Sequence, residues 1–205
     1  MSHPAFFEEI PRIRVFDPLS LFLGASTDGI FDYGYVDAVR LAGHSCPTVA
    51  SAYWLAVRAL TALYPDPDEL PERGRIAIDF RETGTSGTTG VIGSIITLIT
   101  GAAGEGGFKG LQGRFTRRGL LGFGNTDQSL DMRFTRLDNN TGVLAQAYPQ
   151  RVPASPDLAH LLQACVAGHA DATERAAFAA QWQARVRALL IEHAYDEEVF
   201  KVVPE

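Results

Sequence analysis

The chain has 205 residues, which fits one domain large enough to bury a core without disulfide staples. Its formal net charge of −6 opposes binding to a phosphate backbone, and its longest basic run is Arg117-Arg118, so the sequence predicts no nucleic-acid partner. The two cysteines, Cys46 and Cys165, are too few for a disulfide framework and favour a reducing compartment.

The apolar segments predict neither export nor membrane insertion. The first of them, residues 19–23, is far shorter than the apolar part of a signal peptide. The most apolar stretch, 91–103, contains glycine, serine and threonine and falls short of the ~20 residues that a membrane span needs. We therefore expect a cytoplasmic protein without a membrane partner.

The first part of the chain predicts an extended segment followed by two helices. Residues 1–31 carry three prolines between apolar residues, which predicts an extended N-terminal arm laid over the domain. A short helix is expected over 32–41, and Gly43 can end it in the left-handed conformation. Pro47 suits the first position of a second helix, in which apolar residues recur at helical spacing. The proline-rich segment 65–71 ends that helix.

The middle of the chain predicts a strand, a helix and three more strands. Alternating apolar residues over 76–80 predict a half-buried strand, and the spacing over 91–103 predicts a buried helix. Strand-like patterns at 108–123 and 130–134, followed by a turn into 143–147, predict a three-stranded antiparallel meander.

Two further helices are predicted after residue 151. The second begins at Asp171, with Glu174 three residues later as a capping box requires. Its apolar face, from Phe178 to Leu190, needs a docking surface, either the sheet or a second copy of the chain. We expect a homodimer, because the preceding residues could already close a core.

The element order lacks the strict alternation of strand and helix that a doubly wound sheet shows. The sequence therefore predicts an α+β fold, a mixed sheet with helices packed on it plus C-terminal helices. We interpret the chain as one domain with an N-terminal arm (1–31), a core (32–150) and a C-terminal helical extension (151–205).

The strongest candidate for a functional site is Gly43-His44-Ser45-Cys46-Pro47, here named the His-x-Cys turn. His44 and Cys46 are two residues apart, so their side chains can converge on one point. Imidazole and thiolate suit zinc, copper, iron and nickel, whereas calcium and magnesium prefer oxygen. A capping histidine and a small buried cysteine would explain the same pattern, and two ligands do not complete a tetrahedral site.

The His-x-Cys turn and the helix after it resemble the Gly-His-x-Cys-Pro-Gly signature of the FmdE-like family of formylmethanofuran dehydrogenase proteins. The resemblance extends more weakly over residues 32–148 and implies the family's core fold with a metal site at His44 and Cys46. This chain departs from the family at Thr48, where a glycine is usual, in loop 83–90, which lacks a cysteine that members often have, and in the missing C-terminal zinc finger. The resemblance implies a fold and a metal site, without formylmethanofuran chemistry.

Zinc is the expected ion. Iron is the alternative, including haem iron with His44 or Cys46 as an axial ligand, because both residue types can ligate it.

A glycine-threonine loop, residues 83–90, precedes the helix predicted at 91–103. Such loops can cradle an anion through backbone N–H groups, but this one lacks the Gly-Lys-Ser/Thr ending of a P-loop and favours a structural turn. If it binds a small molecule or a metallocofactor, we expect Thr85, Ser86 or Thr88 to touch that ligand on a cavity wall facing the His-x-Cys turn.

The remaining titratable residues are more typical of structural roles. Asp79 and Glu82 could add oxygen ligands or transfer protons, but a solvated charge and a cap are the favoured interpretation. Cys165 is expected to be a small buried residue. Packed or surface positions, not ligation, are expected for three histidines, His160, His169 and His193.

Three functions fit these patterns. The leading hypothesis is a protein that binds a transition metal or a metallocofactor through His44 and Cys46. The first alternative is an enzyme in which Cys46 is a nucleophile, His44 its base, and the loop at 85–90 an oxyanion hole. The second is a scaffold component of a larger oxidoreductase complex that docks through its C-terminal helices.

Overall fold

The computed structural model describes residues 3–205. In chain order its strands are β1 (Ile13–Phe16), β2 (Ile30–Tyr33), β3 (Ile76–Phe80), β4 (Leu121–Phe123), β5 (Met132–Arg136), β6 (Thr141–Ala147) and β7 (Phe200–Pro204). Its α-helices are α1 (Pro18–Phe22), α2 (Tyr35–Ala42), α3 (Pro47–Leu63), α4 (Thr89–Thr100), α5 (Leu158–Val166) and α6 (Ala172–Arg187). Short 3-10 turns cover Ala5–Glu9 and Pro149–Arg151, and a π-helical turn extends α6 over Ala188–Glu192.

A mixed sheet forms the centre of the molecule, with its strands in the order β4-β3-β5-β6-β7. Strands β3 and β4 are parallel, and the other neighbouring pairs are antiparallel. The α3 helix packs on this sheet and also contacts α2, α4 and α6. This arrangement confirms the predicted α+β fold.

The predicted meander is wrong in its first strand. Within 108–123 only β4 forms, and it lies beside β3 instead of β5. The residues before it follow a looped path in which Gly110, Gly113 and Gly119 adopt positive φ values, a conformation that interrupts a strand. The hairpin of β5 and β6 does form around the predicted turn, with Arg136 paired to Thr141.

The C-terminal extension is not purely helical, because β7 adds a strand to the edge of β6. Phe200 at its start is fully buried in the main core. Helix α6 begins as predicted, since the Asp171 carboxylate accepts the Glu174 N–H at 2.8 Å and the Glu174 carboxylate accepts the Asp171 N–H at 2.8 Å. The apolar face of this helix docks within its own chain, where Val186 is buried in the same core as α3.

The N-terminal segment is more ordered and more deeply packed than an extended arm. Strand β1 pairs with β2, and Phe6, Phe7 and Val15 are buried in the core. An ion-pair cluster anchors the segment, because the Asp17 carboxylate accepts a hydrogen bond from Arg117 at 2.7 Å and pairs with Arg73 at 3.2 Å. These residues therefore belong to the domain core.

Helix α3 is the central helix of the fold, and every residue from 49 to 57 is buried. Pro47 occupies its first turn, as predicted, and Cys46 is its N-cap residue. Gly43 ends α2 with φ of 76°, which a side chain would strain. No helix within residues 3–205 is both long and apolar enough to cross a membrane.

Candidate metal site and neighbouring cavity

The His-x-Cys turn is fixed through Ser45, which lies between its two candidate ligands. Ser45 Oγ donates to Gln183 Oε1 at 3.0 Å and accepts from the Tyr35 hydroxyl at 2.8 Å. Burial raises the pKa of Tyr35, so its hydroxyl keeps the proton that it donates. The Ser45 carbonyl accepts from the Trp182 indole at 3.0 Å. Two helices therefore hold the backbone of the turn.

The His44 ring is exposed and is oriented by one backbone hydrogen bond. Its Nδ1 lies 2.9 Å from the carbonyl oxygen of Ala42. A carbonyl only accepts, so Nδ1 carries a proton, and in the neutral ring Nε2 is the nitrogen with the free lone pair. Metal-bound histidines commonly show this arrangement, in which the second ring nitrogen donates to a backbone carbonyl.

The Cys46 side chain is half-buried at the start of α3. Its sulfur accepts the Val49 N–H at 3.5 Å and so caps the helix. Both Cys46 and Cys165 are free thiols. The capping role that the sequence left open is therefore present, and an N–H bond to sulfur is also compatible with a metal thiolate.

The donor chemistry of the turn fits a transition metal, but the donor count is incomplete. One imidazole nitrogen and one sulfur suit zinc, which takes four ligands in structural sites. Within residues 3–205, no group of three or more His, Cys, Asp and Glu side chains is placed to hold a metal ion. Asp79 and Glu82 thus do not complete a site with the turn.

A cavity of about 220 Å³ lies close to the turn, between α3, the start of α4 and the sheet. Thr48 lines it and follows Cys46 by two residues, whereas His44 and Cys46 lie outside its wall. Its other polar residues include Ser51, Glu82 and Asp131. Sequence patterns missed Ser51 and Asp131. The one available signal was a serine within the otherwise apolar stretch 49–57 of α3.

The glycine-threonine loop is largely a structural turn. Ser86 Oγ donates to Glu82 Oε2 at 3.1 Å, and the hydroxyls of Thr83 and Thr85 share a hydrogen bond of 3.4 Å. Of the three residues predicted to touch a ligand, Thr88 alone lines the cavity.

The remaining predicted residues lie apart from the turn. His160 and His169 are exposed, and Cys165 is half-buried. His193 Nδ1 lies 3.0 Å from the Asp196 carboxylate, a contact that lowers the pKa of Asp196.

Comparison with protein families finds no match to this chain, and comparison with curated proteins finds no similar sequence.

Proposed function

We propose that the protein binds a transition metal ion, zinc before iron, through His44 Nε2 and Cys46 Sγ. The observation that carries this proposal is the hydrogen bond from His44 Nδ1 to the Ala42 carbonyl. It leaves Nε2 as the free donor atom in the same short turn as a free thiol. The contacts of Ser45 support the proposal further, because a rigid turn loses little conformational entropy when it binds an ion.

The coordination that this chain offers is open. Two protein ligands leave two of four tetrahedral positions for water, a small molecule or a second protein chain. An ion bound this way would act as a Lewis acid toward whatever occupies those positions. A homodimer that joined two His-x-Cys turns would instead supply two imidazoles and two thiolates, a complete zinc set. We retain the homodimer as part of the proposal.

The nucleophile alternative gains no support from the contacts of the two residues. His44 Nδ1 bonds the Ala42 carbonyl, and Cys46 Sγ accepts from the Val49 N–H. Within residues 3–205 no hydrogen bond joins His44 to Cys46, whereas an activated nucleophile bonds its base. We also propose a cytoplasmic location, which the two free thiols support.

Titration with Co²⁺ tests the metal proposal directly. We expect binding with sulfur-to-cobalt charge-transfer absorption in the near ultraviolet, and displacement by Zn²⁺. Cys46→Ser should abolish this absorption, and His44→Ala should weaken the affinity by ~10-fold or more, since even loss of a group that only orients a ligand costs ~10–100-fold. Light scattering and metal content together distinguish one ion per chain from one ion per dimer.

Matched controls are available in the same chain. Cys165→Ser removes the other free thiol, and His160→Ala removes an exposed histidine on α5. Both should keep wild-type affinity. Cobalt that binds equally well to Cys46→Ser and to the native protein would show that the His-x-Cys turn is not the site.

A further inference from the structure

Ser51, on α3, has a buried hydroxyl group at the cavity without a hydrogen-bond partner in the described part of the chain. It is 4% exposed and lines the cavity, and its Oγ has no hydrogen-bond partner among residues 3–205. A buried hydroxyl without a partner destabilises the folded state. A ligand with a polar group inside the cavity would satisfy it.

The charged groups on the cavity wall are all acidic. Glu82 and Asp131 line it, and none of the lining residues found in the described chain is Lys or Arg. Asp131 is half-buried and forms no ion pair within residues 3–205. Burial raises its pKa, Arg81 opposes this effect, and Glu82 adds to it. A partly desolvated carboxylate without an ion-pair partner is stabilised when a cation binds beside it, so Asp131 can take a cationic ligand.

The loop that carries Asp131 is held in place by a buried glutamine. Gln128 Nε2 donates to the carbonyls of Asp79, at 3.1 Å, and Asp131, at 3.0 Å. The backbone of Asp131 is therefore fixed relative to β3 before any ligand arrives.

The helix starts at the cavity do not reverse its charge. Thr48 lies in the first turn of α3, and Thr88 and Thr89 lie at the start of α4. Each helix start carries about half a positive charge, so two of them offset only about half of two ionised carboxylates. Arg81, whose charge also acts on Asp131, is exposed to solvent and lies outside the cavity wall, so the charges on the wall itself favour a cation over an anion.

Most of the remaining wall is apolar, and the cavity volume limits the size of the ligand. Leu55, Phe80, Ile92 and Met132 contribute to it. An apolar cavity of ~150 Å³ is known to take benzene, so 220 Å³ admits a body of roughly nine non-hydrogen atoms.

We propose that this cavity binds a small organic amine, with its ammonium group between Asp131 and Glu82, one N–H donated to Ser51 Oγ, and its apolar body against Leu55, Phe80, Ile92 and Met132. This site is separate from the His-x-Cys turn and does not depend on a metal. It gives the protein a second, organic ligand.

Three probes of nearly equal size and different charge test the proposal on the full chain. Calorimetric titration at neutral pH in the presence of a chelator should show saturable binding of 2-phenylethylamine. The dissociation constant should lie below about 1 mM. 2-Phenylethanol should bind about tenfold more weakly, because it lacks the charge-assisted hydrogen bonds, and phenylacetate should bind more weakly still. Equal binding of all three, preference for phenylacetate, or no saturation by the amine would overturn the proposal.

Variants locate the amine once binding is measured. Asp131→Asn should weaken 2-phenylethylamine by about tenfold or more and leave 2-phenylethanol nearly unchanged. Ser51→Ala should weaken the amine several-fold. Asp127→Asn, in the same loop but exposed and outside the cavity, should behave as wild type. If Asp131→Asn binds 2-phenylethylamine as tightly as the unmodified chain, Asp131 does not hold the ammonium group and the proposal is refuted. If a variant fails to fold, the preference of the unmodified chain among the three probes still tests the proposal.

Discussion

The ionised side chain of Asp131, in the proposed amine site, is expected to lower the free energy of unfolding. Its raised pKa means that the ionised carboxylate is less favourable in the folded chain than in the unfolded one. This penalty is present above the folded-state pKa and vanishes below the unfolded value, where both states are protonated.

We therefore predict that Asp131→Asn raises the melting temperature at pH 7, and that the gain shrinks as the pH falls toward 4. Calorimetric melts across that range, without amine, measure the effect. Asp127→Asn, an exposed change in the same loop, should show no such pH-dependent gain. A lower melting temperature for Asp131→Asn at pH 7 would mean that the carboxylate stabilises the fold.

The roles of some site residues can be predicted from the sequence, and the roles of others cannot. The donor chemistry of His44 and Cys46 is visible from their types and spacing. The role of Ser45 is not, because Gln183, which it bonds, lies 138 residues further along the chain. Asp131 likewise lines the cavity through the pairing of β5 with β3, and no local pattern marks it.

Long helices with a regular apolar pattern or a capping residue were predictable from the sequence. Short strands that depend on distant partners were not. Helix α3 shows its start at Pro47, and α6 shows its capping box at Asp171. Strand β4 has three residues and β7 has five, and each is a strand because a neighbour in the sheet bonds it. The local sequence does not reveal the pairing with a distant strand that stabilises these short segments.

Strand β7 is nevertheless expected to be essential to the core. Phe200 is fully buried, and its truncation leaves a large cavity. We predict that Phe200→Ala lowers the free energy of unfolding by ~3–5 kcal/mol in urea titrations. Val166→Ala, at a residue 80% exposed, should change it by less than ~0.5 kcal/mol. A comparably small effect of Phe200→Ala would show that β7 is not integral to the sheet.

On the scale of the whole molecule, the Asp17 cluster joins the N-terminal segment to the loop between α4 and β4. Arg117, its partner at 2.7 Å, lies 100 residues away in sequence. Burial lowers the pKa of Arg117, an effect that the charge of Asp17 opposes.

Asp17→Asn keeps the side chain's ability to cap α1 but removes the charge between two guanidinium groups. We predict a loss of about 3 kcal/mol in unfolding free energy, because two largely buried cations lose their counter-ion. Glu105→Ala breaks the exposed pair with Arg118 and should cost less than ~1 kcal/mol. Equal effects of the two changes in denaturant titrations would rule out the anchoring role of Asp17.

The hydrogen bonds of Ser45 also bear on the order of events during folding. They join α6 to the start of α3 across more than 130 residues, and contacts of such sequence separation form slowly. The two candidate ligands thus acquire their fixed geometry only after the chain has closed a loop of more than 130 residues. An ion bound there would secure a chain that has already folded, and it would not nucleate the fold.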